Sequence, residues 1–493
     1  MRMAFYCFVG LSLFLTKEYF DMTTTAHSAA ELKAQQRAET RKSVKAIVAS
    51  ATGNLVEWYD FYIYSFAAIY FSSQFFPTGS QTSQLLKAAA VFGIGFVMRP
   101  VGSWFFGRIA DRKGRKASLL LSVVLMCLGS LVIAILPTFS TLESWGINGL
   151  WAAVFLTLAR MLQGFSAGGE YGATATYMSE VATSRNRGFL ASFQYVTLIG
   201  GQLLATLVLL VLGLLLSKEE MVAWGWRIPF LIGAAAALVA LYLRRKLHET
   251  APSDAQKNKE AGTIKGLRNY KKGVMLVFCI TAASSLCFYT YTTYMQKFLV
   301  NTAGMDPNIV HMIFPVVLIL FMIMQPFVGA WSDRVGRRNH IITFGIFMAV
   351  VTYPVLTFLG QGHSPIVTTL VLLIPMFGLS FYTSISGIFK AELFPPHVRA
   401  LGVGFPYAIA NAIFGGSAEY LALQFKDWNI PSVFYVYVVC MAIMVTFMGF
   451  LMPDSRKRGA KGIAQDLSMH EHHPQHNTPT HTEPSTSAGL TRA

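Results

Sequence analysis

Charge is what this chain has little of. Asp, Glu, Lys and Arg make up 13% of its 493 residues, against about 25% in an ordinary water-soluble domain, so a soluble globule is excluded. Cysteine is scarce too. Cys7, Cys127, Cys279, Cys287 and Cys440 lack metal-ligand spacing, and four of them fall in apolar runs, which excludes a disulfide framework and a zinc site. Long polar stretches occur only near the ends and once in the middle. A transporter-like sensor would carry an appended signalling domain, and none is expected here.

What is present is apolar: 54% of the residues, in runs of about 20, the length that crosses a bilayer as a helix. Thirty-eight Phe, 20 Tyr and 40 Gly suit lipid-facing surface, interfacial belts and close helix contacts. Twelve spans are expected, at 46–73, 87–109, 117–137, 149–174, 188–216, 228–244, 272–298, 309–330, 339–359, 366–390, 400–424 and 431–452. The fold class is therefore all-α and polytopic, with two six-helix bundles at 46–244 and 272–452 joined by a polar linker at 245–271. The formal charge of +16 does not point to nucleic acid. Lys and Arg crowd the loops after even-numbered spans, while Lys87, Lys218 and Lys426 are the main ones elsewhere. The positive-inside rule then places the even loops and both termini in the cytoplasm. Residues 1–45 form an N-terminal segment, of which 1–21 read as an upstream extension before Met22. Residues 453–493 read as a basic, His-rich disordered tail whose histidines give adventitious metal binding at most.

One charged motif occurs twice. Gly107-Arg-Ile-Ala-Asp-Arg-Lys-Gly-Arg-Lys116 matches Gly329-Ala-Trp-Ser-Asp-Arg-Val-Gly-Arg-Arg338 at Asp111/Asp333, Arg112/Arg334 and Arg115/Arg337. A second pair agrees, since Glu180 precedes Arg187, and Glu392 precedes Arg399, by the same seven residues. Duplicated halves of this kind are a transporter signature, with the substrate held between them near mid-bilayer. The carboxylates can accept bonds from helix N-termini and the arginines can reach acidic groups, which makes a conformational latch. The plainer alternative is that these charges only fix orientation.

Ionisable residues inside the spans are costly and functional by default. Glu57 and Asp60 lie at i, i+3 on span 1, Arg99 is central in span 2, and span 4 holds Arg160, Gln163 and Glu170. The arginines either pair with Glu57, Asp60 or Glu170 to hold the first bundle together, or offer a guanidinium fork to a substrate carboxylate, and the two readings are compatible. Glu57, Asp60 and Glu170 are the candidates for proton coupling. Tyr59, Tyr289, Tyr382 and Asn411 join Arg99, Arg160 and Gln163 as candidate substrate contacts. Ser284, Ser285, Tyr291, Thr292, Tyr294, Gln296, Thr383, Ser384, Ser386 and Glu419 extend the expected cavity lining. Lys297 and Lys390, at span ends, are expected to snorkel. Gly164-Phe-Ser-Ala-Gly168 matches a nucleophile-elbow pattern, but it lies within a span, where small residues serve helix packing; Gly93 and Gly95 follow no strand. No catalytic residue or metal site is expected, and the chain does not read as an enzyme.

The loop motifs resemble those of the major facilitator superfamily. Asn54-Leu-Val-Glu-Trp-Tyr-Asp-Phe-Tyr62 and Trp224-Gly-Trp-Arg-Ile-Pro-Phe230 resemble its metabolite:proton symporter branch. Within that branch, Gly169–Glu180, Thr292–Lys297, Ser380–Gly387 and Asn411–Tyr420 are similar to carriers of 2-oxoglutarate. The resemblance implies uptake of this small organic acid with protons across a bacterial inner membrane, by a lipid-embedded functional monomer that uses no cofactor beyond the coupling proton. Citrate, shikimate, proline and betaine are the competing substrates within the same fold.

Overall fold

The protein, seen in a computed structural model, is described at residues 50–79, 81–181, 187–245, 249 and 260–453. The N-terminal extension, about half of the linker and the His-rich tail lie outside these residues.

Twelve long helices are present among the described residues, with no strand. In chain order they are α1 (50–75), α2 (Gln81–Lys113), α3 (Arg115–Ile135), α4 (Leu150–Val181), α5 (Arg187–Leu215) and α6 (Ile228–Arg245), then α7 (271–301), α8 (Pro307–Val335), α9 (Arg337–Leu359), α10 (365–392), α11 (399–427) and α12 (Pro431–Leu451). Ten are long and apolar enough to cross a membrane. The other two, α1 and α11, carry Asn54, Glu57 and Asp60, and Asn411, Glu419 and Lys426, respectively, which dilute their hydropathy. Helix α7 breaks its α pattern at Thr290–Tyr294 and α11 at Asn411–Gly415, each through a π-helical turn, a device common at functional sites.

The molecule is inside-out relative to a soluble protein. Leu214, Met312, Phe327 and Ile366 are more than 70% exposed, whereas Arg115, Arg160, Arg244 and Lys390 are fully buried. Lipid solvates the first set at no cost. The charged set must find partners inside the protein.

Small residues bring α2 and α4 together. A methyl group at Gly164 would collide with the Gly95 backbone, and one at Gly168 with the Arg99 backbone. Ser166, between them, donates to the Ser122 carbonyl at 2.6 Å. The Gly164–Gly168 pattern is thus a helix-packing seam, and it presses Arg99 and Arg160 into the interior.

The halves meet along α2–α11 and α5–α8. Gly107 lies against Leu401, and Gly188 against Gly329. The duplicated loops turn at Gly114 and Gly336, with φ of 102° and 94°, a region where a Cβ is strained.

Candidate functional site

A narrow cavity lies between the halves, lined by Glu57, Trp58, Arg99, Ala167, Gly168 and Tyr171 from the first and by Tyr407 and Ala408 from the second. It has room for little more than one water, so an organic acid is admitted only when side chains or helices move. Arg99 is 4% exposed, and its guanidinium carbon stands 4.2 Å from the Phe61 ring centre, 4.5 Å from Phe96 and 5.3 Å from Trp58. Its Nε has no hydrogen-bond partner. Among the described residues no carboxylate is within ion-pair distance of Arg99. The aromatic faces compensate its charge only in part, each contributing on the order of 1–2 kcal/mol when desolvated.

Arg160 has similar surroundings, over Phe61, Tyr64 and Phe92, with Nε and Nη2 unpartnered. Its Nη1 donates to Gln163 Oε1 at 2.9 Å, and Gln163 Nε2 donates to Asp60 Oδ2 at 2.6 Å. Ser130 donates to the other oxygen of Asp60. Gln163 therefore acts as a bridge between cation and carboxylate, one layer behind the cavity.

Several expectations need correcting here. Glu170, the expected neighbour of Arg160, is held by Arg244, whose two terminal nitrogens reach both its oxygens; Ser122 and Thr174 add bonds of 2.9 and 2.7 Å. Arg244, the last residue of the expected sixth span, is fully buried at the end of α6. Tyr59 faces away from the cavity, donating to the Pro229 carbonyl at 2.8 Å with Gly201 and Gly233 against it. Its partners lie on α5 and in α6, so neighbours at i and i+1 on α1 face different helices, as the roughly 100° step per residue requires. Glu419 pairs with Lys297 on a part-exposed surface and is not among the residues that line the cavity described above.

Lys390 is the other departure. It does not snorkel. Its Nζ donates to Tyr171 Oη at 2.7 Å, Ser386 Oγ at 2.9 Å and Tyr382 Oη at 3.1 Å, and it lies 4.3 Å from the Tyr407 ring centre. Tyr171 in turn stacks on Tyr407 across the two halves, centroids 3.5 Å apart. Of the other expected contacts, Tyr289 packs edge-on against Phe96, and Asn411 is buried with an unpartnered amide nitrogen beside it.

At the basic-loop face the repeated motifs interlock. Asp111 accepts from the backbone N–H groups of Ala400 and Leu401, both at 3.0 Å, at the start of α11. Asp333 accepts from Gly188 at 2.8 Å and Phe189 at 3.2 Å, at the start of α5. Each aspartate also holds the arginine four residues on, Arg115 at 2.6 Å and Arg337 at 2.8 Å. Glu180 takes Arg399 at 2.9 Å and Arg115 at 3.3 Å, while Glu392 meets Arg187 and Arg337 only at 3.9 Å. The two copies are equivalent in pattern but unequal in tightness. Arg112 bonds the Ala261 carbonyl of the linker at 2.8 Å, and Arg334 is exposed.

Against known proteins, the sequence model of the Major Facilitator Superfamily matches residues 50–418 and 306–474. The chain belongs to the major facilitator superfamily. Among curated members it is 53% identical over 423 residues to the alpha-ketoglutarate permease of Escherichia coli (strain K12), covering 86% of this chain and 96% of that one. It is 34% identical over 380 residues to the citrate-proton symporter of Salmonella typhi, covering 75% and 85%. A proton:xylose symporter structure shares the fold, with a TM-score of 0.71 at 15% identity, over 87% of this chain and 100% of that one. Membership in the superfamily explains the duplicated loops and makes this a multi-pass membrane transporter. It leaves Lys390 and Arg244 as residues that reading by position missed: each stands near a helix end, and only the packing turns it inward.

Proposed function

We propose that this protein carries 2-oxoglutarate into the bacterial cell with protons, by alternating access across the inner membrane, with both termini cytoplasmic. The cavity between the halves supports the reading: Arg99, which is in no close ion pair among the described residues, lines it together with Glu57. A guanidinium in that position is matched by a carboxylate, which it can grip with two parallel hydrogen bonds. The high identity to a permease for this dicarboxylate supports the choice of substrate.

The energetics require coupling. Moving a dianion into a negative interior is opposed by about 2.3 kcal/mol per charge per 100 mV. Cotransported protons offset this. Glu57 and Asp60 are the carriers in this reading, because neither is in an ion pair among the described residues. Asp60 communicates with Arg160 through Gln163, so an anion drawn toward the arginines shifts the field at the carboxylate. Glu170, fixed by Arg244, is assigned a structural role.

The interlocked loops are the latch. With Asp111 and Asp333 capping helices of the opposite half, the cytoplasmic face is shut. Transport demands that these bonds break and the halves rock apart. One protomer contains the whole path, so the unit of function is the monomer. Uptake of labelled 2-oxoglutarate into proteoliposomes with an imposed pH gradient tests the proposal. Accumulation that collapses with the gradient and is competed poorly by citrate, shikimate, proline and betaine is expected; absence of accumulation would sink it.

A further inference from the structure

Lys390 is fully buried, and the hydrogen bonds of its Nζ end on three neutral hydroxyls. Among the described residues no carboxylate lies within ion-pair distance of it. Hydrogen bonds to hydroxyls satisfy its geometry but not its charge, and a charge held this way inside a membrane domain is unfavourable until an anion joins it. The same two rings that touch it, Tyr171 and Tyr407, line the cavity on which Arg99 opens. Tyr171 belongs to α4 and Tyr407 to α11, so their stack bridges the halves between the two cations.

We propose that Lys390 is the second anion-binding cation of the translocation site. With the Tyr171–Tyr407 stack parted, its ammonium holds one carboxylate of the substrate while Arg99 holds the other. This rests on the transport reading above and deepens it into a rule of selectivity: two cations, one from each half, demand two carboxylates. A monocarboxylate or a zwitterion leaves one cation uncompensated. The arrangement also ties loading to movement. Arg99 and Lys390 repel when the site holds no anion, and a dicarboxylate between them draws α2 and α10 together.

The test compares 2-oxoglutarate with 2-oxopentanoate, the same five-carbon backbone with a methyl group in place of the distal carboxylate. Ligand-induced thermal stabilisation of the purified full chain, titrated with each compound, gives both affinities directly. The unaltered protein is expected to favour the dicarboxylate by at least about tenfold. Lys390→Met should reduce that preference to within about threefold by weakening 2-oxoglutarate alone. Lys390→Arg should keep the preference. Lys390→Gln, which retains reach and hydrogen bonding, serves in place of Met if the latter variant is not monodisperse, with the same expectation. A preserved preference in the charge-free variants overturns the proposal, including the case where only proton-driven accumulation is lost, which would assign Lys390 to proton coupling. An unaltered protein that fails to bind 2-oxoglutarate overturns the transport reading instead.

Discussion

Arg99 and Arg160 look alike in the sequence and differ in their surroundings. Arg99 opens on the inter-half cavity, whereas Arg160 is tied to Gln163 and, through it, to Asp60. Arg99→Lys replaces a planar fork with a point charge. It should fold normally yet weaken 2-oxoglutarate transport at least about tenfold, roughly 1.4 kcal/mol, measured as apparent affinity in proteoliposomes. Near-normal affinity in a well-expressed variant would make Arg99 structural. The pair Glu170–Arg244 should behave differently. Arg244→Leu leaves a buried carboxylate without its partner, a change costing about 3–5 kcal/mol, while the double variant with Glu170→Leu should recover much of that loss. Thermal unfolding in detergent reads both, and equal destabilisation by single and double variants would show that the pair is not what matters. In this pair the sequence is silent. Glu170 and Arg244 sit in different spans, and nothing in their spacing announces that they meet.

The helices themselves were largely legible. The expected spans agree with the observed ones to within a few residues at most ends, because apolar runs of bilayer length have no alternative to helix in lipid. The residues that interlock at the basic loops were equally readable as candidates, since the duplicated spacing singled them out. Which helix end each aspartate caps needed coordinates. Asp111→Asn removes the charge shared by Arg115 and the start of α11. It should lower turnover while equilibrium binding, remote from the loop, holds; binding that falls as far as uptake would reject the latch role. The unequal tightness of the two copies gives a sharper expectation. Glu180→Gln breaks pairs at 2.9 and 3.3 Å, and Glu392→Gln only contacts at 3.9 Å. The first should therefore impair transport more than the second, and the reverse order in initial uptake rates would contradict the geometry.

Across the whole molecule, transport requires the halves to separate at the face that is shut in this structure. A Cβ placed at Gly329 falls 2.9 Å from Ser192 Cβ and 2.6 Å from the Gly188 carbonyl oxygen, so a disulfide there requires α5 and α8 to move apart by roughly 1 Å. Gly329→Cys combined with Ser192→Cys should stop uptake on oxidation and regain it on reduction; unaffected uptake by a fully cross-linked protein would mean that α5 and α8 need not part. Some properties follow from the sequence alone. Low charge and long apolar runs dictate a helical membrane protein, since every backbone group in lipid must be satisfied within its own segment. The repeated loop motif declares two related halves. Intramembrane Arg99, Glu57 and Asp60 stand out by position, because a charge in a span is expensive wherever the span lies. Tertiary structure decided the rest: that Glu170 belongs to Arg244, that Tyr59 supports packing, and that Lys390 turns inward beside the cavity. Hydropathy and spacing run along one helix at a time. The partner of a buried charge is set by how helices distant in sequence rotate and cross, and that rotation is fixed only when glycine seams such as Gly95–Gly164 close.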